Sequence, residues 1–504
     1  MSNNLYENLK RSSINFPECL AYIYGDHCVT YRELNQQVNQ FAAGLSAQGI
    51  SKGDGVALLL GNSPEFLIAY YGILRLGAFA VPINPLFTKE EISYILENSQ
   101  AKAVIAHESV EAKILEVKKQ LVNLNLVIYT ESKNQEWTWE YLMKSGTNLI
   151  ASPFIDQEDL AVILYTSGTT GKPKGAMLTH RNLASNADSI SNLLELDEND
   201  RVIAVLPIFH VFCMTVCLNA PIACGATVLI QPRFSPTDVV STIQERNATV
   251  FAGVPTMYNF INQLPEATSE HFQSIRICIS GGASIPVELL HKFESKFNVP
   301  ILEGYGLSET APLVAINPLN GVRKPGSIGI NIPAVQSRVV DKFGEELPRG
   351  EVGELVVQGP NVMKGYLGMQ EATSAAFIDG WFYTGDLATM DDEGYIYIVD
   401  RKKDMIIVGG YNVYPREVEE VLYQHPSVLE AAVVGLPNKE YGESVKAYVV
   451  VKDEQVTEND IIQFCKDKLV KYKLPKYVEF FKELPKNSTG KILRRELREL
   501  TEVK

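Results

Sequence analysis

Short apolar runs alternate with amphipathic stretches along most of the first 300 residues, and this alternation restricts the fold more than any other feature of the chain. The apolar run 56–60 is followed by a helical stretch at 64–76 and then by the run 79–83; residues 103–106 precede a helical stretch around 112–121. Further buried strands are expected at 202–206, 227–229, 249–252 and 276–280, with helices near 236–246 and 286–297. Strands that are apolar throughout bury both faces, so the pattern calls for a largely parallel sheet covered by helices on either side. After about residue 325 it gives way to short strands and Gly/Asp/Pro turns, as in 350–357, which suit an antiparallel β subdomain. The charge cluster Asp400-Arg401-Lys402-Lys403-Asp404 marks a domain boundary, beyond which an α+β pattern includes a helix opened by Pro415. The expected fold is α/β. A large N-terminal domain, residues 1–400, holds parallel-type sheets and the antiparallel subdomain; residues 401–504 form a small α+β C-terminal domain.

Length agrees with more than one domain, since 504 residues exceed what a single core sustains. No apolar stretch reaches the length of a membrane span, and the opening residues lack an apolar h-region, so secretion is not expected. The seven cysteines (19, 28, 213, 217, 224, 278 and 465) include no CxxC pair and no Cys/His cluster with zinc spacing. Lying mostly in apolar settings, they read as reduced core residues of a cytoplasmic protein. The net charge of −14 is uneven: from Arg401 onward 19 Lys and Arg face 17 Asp and Glu, so the acidity belongs to the rest of the chain. An acidic body argues against nucleic acid as the partner, while the lysine-rich tail permits a polyanionic small molecule.

Residues 165–175 read Tyr-Thr-Ser-Gly-Thr-Thr-Gly-Lys-Pro-Lys-Gly, directly after the apolar run 160–165. Glycines let backbone N–H groups approach a ligand closely, and the hydroxyls with Lys172 and Lys174 add donors and positive charge. Such a segment suits a phosphate chain. It is not a P-loop, because Thr166 and Pro173 occupy the places where that motif needs Gly and Ser/Thr.

Five further polar segments follow in order. They are Ser280-Gly281-Gly282-Ala283, Glu303-Gly304-Tyr305-Gly306-Leu307-Ser308-Glu309-Thr310, Trp381-Phe382-Tyr383-Thr384-Gly385-Asp386-Leu387, the 400–404 cluster, and Pro485-Lys486-Asn487-Ser488-Thr489-Gly490-Lys491. With the loop, they resemble the signature series of the adenylate-forming superfamily, which holds acyl-CoA synthetases, firefly luciferase and peptide-synthetase adenylation domains. Over its whole length the chain looks most like bacterial long-chain fatty acid–CoA ligases. The resemblance implies an in-line attack of a carboxylate on the α-phosphate of ATP, with pyrophosphate leaving, followed by transfer of the acyl group to CoA. Two anions must meet, so positive charge and positioning matter more than acid–base chemistry.

Carried over residue by residue, the resemblance places Thr166, Ser167, Gly168, Thr169, Thr170, Gly171, Lys172 and Lys174 around the β- and γ-phosphates, with Ser308 contributing a hydroxyl. Thr166 and Glu309 would hold Mg²⁺, which favours oxygen ligands completed by phosphates. Gly281, Gly282, Glu303, Gly304 and Tyr305 would frame the adenine, and Asp386 with Arg401 the ribose. Lys491 would neutralise charge between the carboxylate and the α-phosphate. Lys403 falls at the family hinge, about which the small, mobile domain would rotate to bring the loop Gly409-Gly410-Tyr411 over the site as a channel for CoA. Val211, Cys213, Cys217, Val254 and Ala283 would line the acyl pocket, with His210 beside the carboxylate as a gate or a packing group. The family often has Thr where this chain has Ser308, a change that keeps the hydroxyl.

Alternatives stand beside these roles. Alone, Lys491 reads as a solvated lysine among the seven Lys and Arg between Lys482 and Lys504, Glu309 as an acid favoured at a helix start, and Asp386 as a turn aspartate. No acidic residue lies between Leu206 and Asp238 to pair a substrate ammonium, which disfavours an amino acid. The rival enzymatic reading loads an aryl or aliphatic acid onto a carrier protein, and a non-catalytic nucleotide sensor is the rival outside enzymes. An apolar substrate is compatible with a peripheral membrane contact and with a homodimer.

Overall fold

The computed structural model describes residues 4–131, 137–146, 153–166, 172–453 and 455–502. Two mainly parallel sheets carry the first three hundred residues. The seven-stranded sheet runs in the order Gly365–Tyr366, Lys174–Thr179, Leu160–Thr166, Phe79–Pro82, Gly55–Leu59, Ala103–Ala106, Leu126–Tyr129. From Leu160–Thr166 onward its pairings are parallel, and the two strands at the other end pair antiparallel. The nine-stranded sheet has a parallel centre made of Ile301–Gly306, Ile277–Ser280, Val250–Gly253, Arg201–Ala204, Thr227–Ile230 and Leu20–Tyr24, with antiparallel strands at both ends. One continuous apolar core spans both sheets, and the helix Pro64–Arg75 within it is buried from Phe66 to Arg75. That helix starts where Ser63 caps the Phe66 N–H and Pro64 supplies a preset φ.

The antiparallel subdomain is as expected: five strands between Gln336 and Arg401, including Gly353–Gln358, Trp381–Met390 and Ile396–Arg401. The last sheet is built from Ile406–Val408, Tyr411–Val413, Val428–Asn438, Gly442–Val451 and Tyr477–Phe480. Its strands alternate strictly between two cores. Val433, Ala447 and Val449 face the helices Pro415–Tyr423 and Glu458–Lys466, while Val434, Tyr448 and Val450 pack with Leu484 and Leu497.

Two expectations, on one strand and on the cysteines, need correction. The strand expected at 202–206 ends at Ala204, because the chain leaves the sheet there and turns toward the cavity described below. The glycine-rich stretch 165–175 joins two antiparallel strands, Thr166 pairing with Lys174, and residues 167–171 lie outside the described residues. All seven cysteines are free, yet Cys28 is exposed and Cys19 and Cys224 are half-buried, leaving only Cys213, Cys217, Cys278 and Cys465 in the core. Among the described residues, no helix is long and apolar enough to cross a membrane.

A buried ion pair ties the nine-stranded sheet together at the amino ends of its strands. Asp200 accepts from Arg276 Nε at 2.8 Å and Nη2 at 2.7 Å, and from the Thr249 hydroxyl at 2.6 Å. Burial pushes this carboxyl up, but the Arg276 and Thr249 hydrogen bonds outweigh it and hold the group below its ordinary range. Its contribution is therefore full above the ordinary carboxylate pKa and is lost as pH falls through the lowered one. Asp200→Ala should cost about 2–3 kcal/mol in urea unfolding at neutral pH, since Arg276 keeps some solvent contact, and the gap to wild type should narrow in acid. A loss that is independent of pH would assign the effect to packing.

Candidate active site

Both parallel sheets present the carboxyl ends of their strands to one cavity of about 1160 Å³. This is where open α/β sheets collect ligands, because the loops leaving the strands are free to carry polar groups. Leu160–Thr166 delivers Thr166, Arg201–Ala204 leads to His210, Ile277–Ser280 to Gly281 and Gly282, and Ile301–Gly306 to Tyr305, Ser308 and Glu309. From the antiparallel subdomain come Asp386 and Arg401, and from the end of the chain comes Lys491. Lys174, Gly304 and Lys403 are further expected residues that line it.

Asp386 and Arg401 face each other because they are register partners on adjacent antiparallel strands. Arg401 Nε lies 3.3 Å from Asp386 Oδ1, and the Tyr305 hydroxyl donates to Oδ2 at 2.6 Å. A carboxylate has about four acceptor sites, so this buried group keeps capacity for hydroxyl donors from a ligand. Gly282 follows its strand at φ +79°, a conformation that bends the chain sharply beside the cavity.

At the other end, the Tyr366 hydroxyl donates to Glu309 Oε1 at 2.9 Å, and Lys174 Nζ stands 5.0 Å from the centroid of the Tyr366 ring. Glu309 and Thr166 both line this end. One carboxylate and one hydroxyl make a partial oxygen shell, and among the described residues no group of three or more His, Cys, Asp or Glu could hold a metal. That donor set fits Mg²⁺, whose remaining ligands are commonly phosphate oxygens and water.

Lys491 is half-buried in the cavity wall. Burial first, and then the neighbouring positive charge of Arg401, pushes its ammonium down to about 8, against the opposing pull of Asp386. His210 is pushed down to about 4 by burial and by Lys491, so it is neutral at physiological pH. Its Nδ1 accepts from the Phe212 N–H at 3.3 Å, which leaves the proton on Nε2.

Several expected residues lie elsewhere. The Glu303 side chain turns away from the cavity, where Oε1 accepts from the Ile285 N–H at 3.2 Å. Burial pushes that carboxyl up to about 7, against the attraction of Arg416, and a group so placed cannot frame an adenine with its side chain. Lys172 is exposed, its ammonium 5.7 Å from the Tyr94 ring centroid rather than on the cavity. Ser167, Gly168, Thr169, Thr170 and Gly171 fall outside the described residues. The turn Gly409-Gly410-Tyr411 is not part of the cavity wall in this arrangement; Tyr411 is exposed and stacks on Tyr472 with centroids 4.7 Å apart.

The apolar wall also differs from expectation. Val211 and Val254 line it, but Cys213 and Cys217 are fully buried in the core and Ala283 is off the wall. Residues Cys213–Asn219 form a π-helix. Phe212 and Val216, four apart, share the cavity side, while Cys213 and Cys217 share the core side. Ile190, Leu193 and Leu194, from and just beyond the helix His180–Leu193, also line the cavity. No local pattern in the sequence marks those three, nor Tyr366, as cavity residues.

Comparison with known proteins agrees with this arrangement. The family described as AMP-binding enzyme matches residues 9–367, and the AMP-binding enzyme C-terminal domain matches 417–491. A long-chain-fatty-acid–CoA ligase of Bacillus subtilis is 38% identical, over 99% of this chain and 94% of its own. The solved structure of ATP-bound MatB from Rhodopseudomonas palustris superimposes with a TM-score of 0.93 at 34% identity, covering 99% of each chain. A benzoate CoA ligase from Burkholderia xenovorans LB400 does so with a TM-score of 0.90 at 29% identity, covering 98% of this chain and 99% of that one. The cavity between two parallel sheets, the whole-length matches and the solved neighbours together place this chain in the AMP-binding enzyme family, as an adenylate-forming acid–CoA ligase.

Proposed function

We propose that this enzyme activates a medium- or long-chain fatty acid in the cytoplasm. The observation that carries the reading is one cavity lined both by polar groups (Thr166, Lys174, Glu309, Asp386, Lys491) and by apolar ones (Ile190, Leu193, Leu194, Val211, Phe212, Val216). The acid would lie with its tail among the apolar groups and its carboxylate near His210 and Lys491. A carboxylate oxygen attacks the α-phosphorus, the bond to the bridging oxygen breaks, and pyrophosphate leaves with the electron pair. The thiol of CoA then attacks the acyl carbonyl carbon, loses its proton to solvent, and AMP departs.

Each residue has a physical task in that sequence. Lys491 offsets the repulsion between carboxylate and triphosphate where negative charge accumulates. Asp386 takes the ribose hydroxyls, with Arg401 holding its carboxylate in place. Tyr305 presents its ring to the base. Glu309 and Thr166 would hold Mg²⁺, whose charge further screens the phosphates. Neutral His210 adds no second positive charge and can donate from Nε2 to the acyl carboxylate. After adenylation, residues 401–504 would turn about Lys403, withdrawing Lys491 and bringing Gly409, Gly410 and Tyr411 to the cavity.

Lys491→Ala should lower adenylate formation by about 100-fold or more, measured as pyrophosphate release without CoA. The protonated lysine is the active form, so kcat/KM for ATP in this half-reaction should fall as pH rises through about 8. Lys491→Arg should move that fall out of the accessible range; an unchanged profile would remove Lys491 from the chemistry.

A panel of acetate, octanoate, dodecanoate, hexadecanoate and benzoate, followed by CoA-dependent pyrophosphate release, tests the substrate class. Saturation is expected with the longer aliphatic acids. Val216→Trp should raise KM for hexadecanoate by about tenfold while sparing octanoate. Preference for benzoate would overturn the fatty acid reading, and transfer to a phosphopantetheinyl protein rather than free CoA would favour carrier loading.

A further inference from the structure

The loop that carries Lys491 is held both by itself and by the two sheets. Asn487 closes it internally: its Oδ1 accepts from the N–H groups of Thr489 at 3.1 Å and Lys491 at 2.9 Å, and from the Thr489 hydroxyl at 2.7 Å. Its own N–H donates to the Lys491 carbonyl at 2.9 Å. The loop is therefore a compact unit, and what fixes Lys491 is whatever fixes that unit from outside.

Two hydrogen bonds do so from opposite sides. Asn84, just beyond the strand Phe79–Pro82 of the seven-stranded sheet, donates from Nδ2 to Ser488 Oγ at 3.1 Å. Thr256, in the first turn of the helix Pro255–Gln263 that follows a strand of the nine-stranded sheet, donates its hydroxyl to the Gly490 carbonyl at 3.3 Å. Gly490 sits at φ +85°, and a Cβ there would stand 3.0 Å from Thr256 Oγ1 and 3.1 Å from Val254 Cγ2. The glycine thus allows the close approach that the Thr256 contact needs. Beside them, Lys486 pairs with Glu430 at 2.8 Å and lies 5.5 Å from the Phe260 ring centroid, on the same helix as Thr256.

We propose that Asn84 and Thr256 are positioning residues for Lys491, forming a latch that seats the loop 486–491 at the cavity during adenylate formation and releases it afterwards. The inference rests on the reading above, that Lys491 serves the first half-reaction. Seating a half-desolvated ammonium among other cations is unfavourable, so contacts made elsewhere on its loop must hold it there. Neither latch residue is charged, and each supplies one partly solvated hydrogen bond, so release is cheap enough for repeated turnover.

The test compares half-reactions in the full-length enzyme. Asn84→Ala and Thr256→Val should each slow pyrophosphate release by about threefold to tenfold, and the double variant by about tenfold or more. Transfer of chemically prepared dodecanoyl-adenylate to CoA should stay within about twofold of wild type, which also reports that the variants are folded, and Thr256→Ser should restore the first half-reaction. An unchanged first half-reaction in the double variant, or an equal fall in both halves, overturns the latch. Lys491→Ala measured alongside separates the two levels. If it still forms adenylate, the role of Lys491 and the latch fail together; if it does not while the double variant is normal, the latch alone fails.

Discussion

Lys491 enters the cavity from a loop near the end of the chain, and its ammonium meets an environment that neither fully solvates nor fully neutralises it. Burial and Arg401 push its pKa down, while Asp386 pulls the other way. Asp386 is itself shared between Arg401 and the Tyr305 hydroxyl. A cation left under-compensated in this way is ready to accept anionic partners, because their arrival satisfies a charge already present. In the proposed reaction that charge is in place before the substrates meet, which is where electrostatic preorganisation has its effect.

That arrangement depends on rigid supports. Parallel strands end at one level, so loops from both sheets reach a common space, and buried pairs such as Asp200 with Arg276 hold the opposite ends of the strands. The register pairing of Asp386 with Arg401 fixes a carboxylate and a guanidinium face to face without relying on flexible loops. The small sheet is anchored by Arg416, whose Nη1 donates to the Ile398 carbonyl at 2.5 Å and whose N–H donates to Asp400 at 2.9 Å. Its apolar clusters are separate from the continuous apolar core that joins the two large sheets, and hydrogen bonds such as these reach across. Polar contacts separate at lower cost than an apolar core does, since water replaces the lost partners.

Much of the cavity was legible in the primary structure because glycine, hydroxyl and charged residues cluster where strands end. Thr166, Gly281, Gly282, Tyr305, Glu309, Asp386 and Lys491 all stand in such clusters, and all line the cavity. Glu303 stands in one too, yet its carboxylate is held away from the cavity by the Ile285 N–H, a partner eighteen positions off that no local spacing announces. Cys213 and Cys217 share a face that turns to the core instead of the cavity. Residues four apart share a helix face, but which of two adjacent faces turns to the cavity is decided by the packing around the helix. Tyr366 and Glu309 meet across 57 positions, a pairing that no local spacing announces.

By itself the sequence determined the alternation of buried strands and helices, and hence the sheet type, along with the segments that had to leave the sheet because they are too polar and too rich in glycine to stay in it. These are local consequences of hydrophobic period and backbone freedom. Only the tertiary structure decided which face each strand shows the cavity, that Ile190, Leu193 and Leu194 join its wall, and that Asn84 and Thr256 meet the loop of Lys491. Such contacts join residues up to 404 positions apart, and their geometry follows from how the sheets pack rather than from any property of the segments alone.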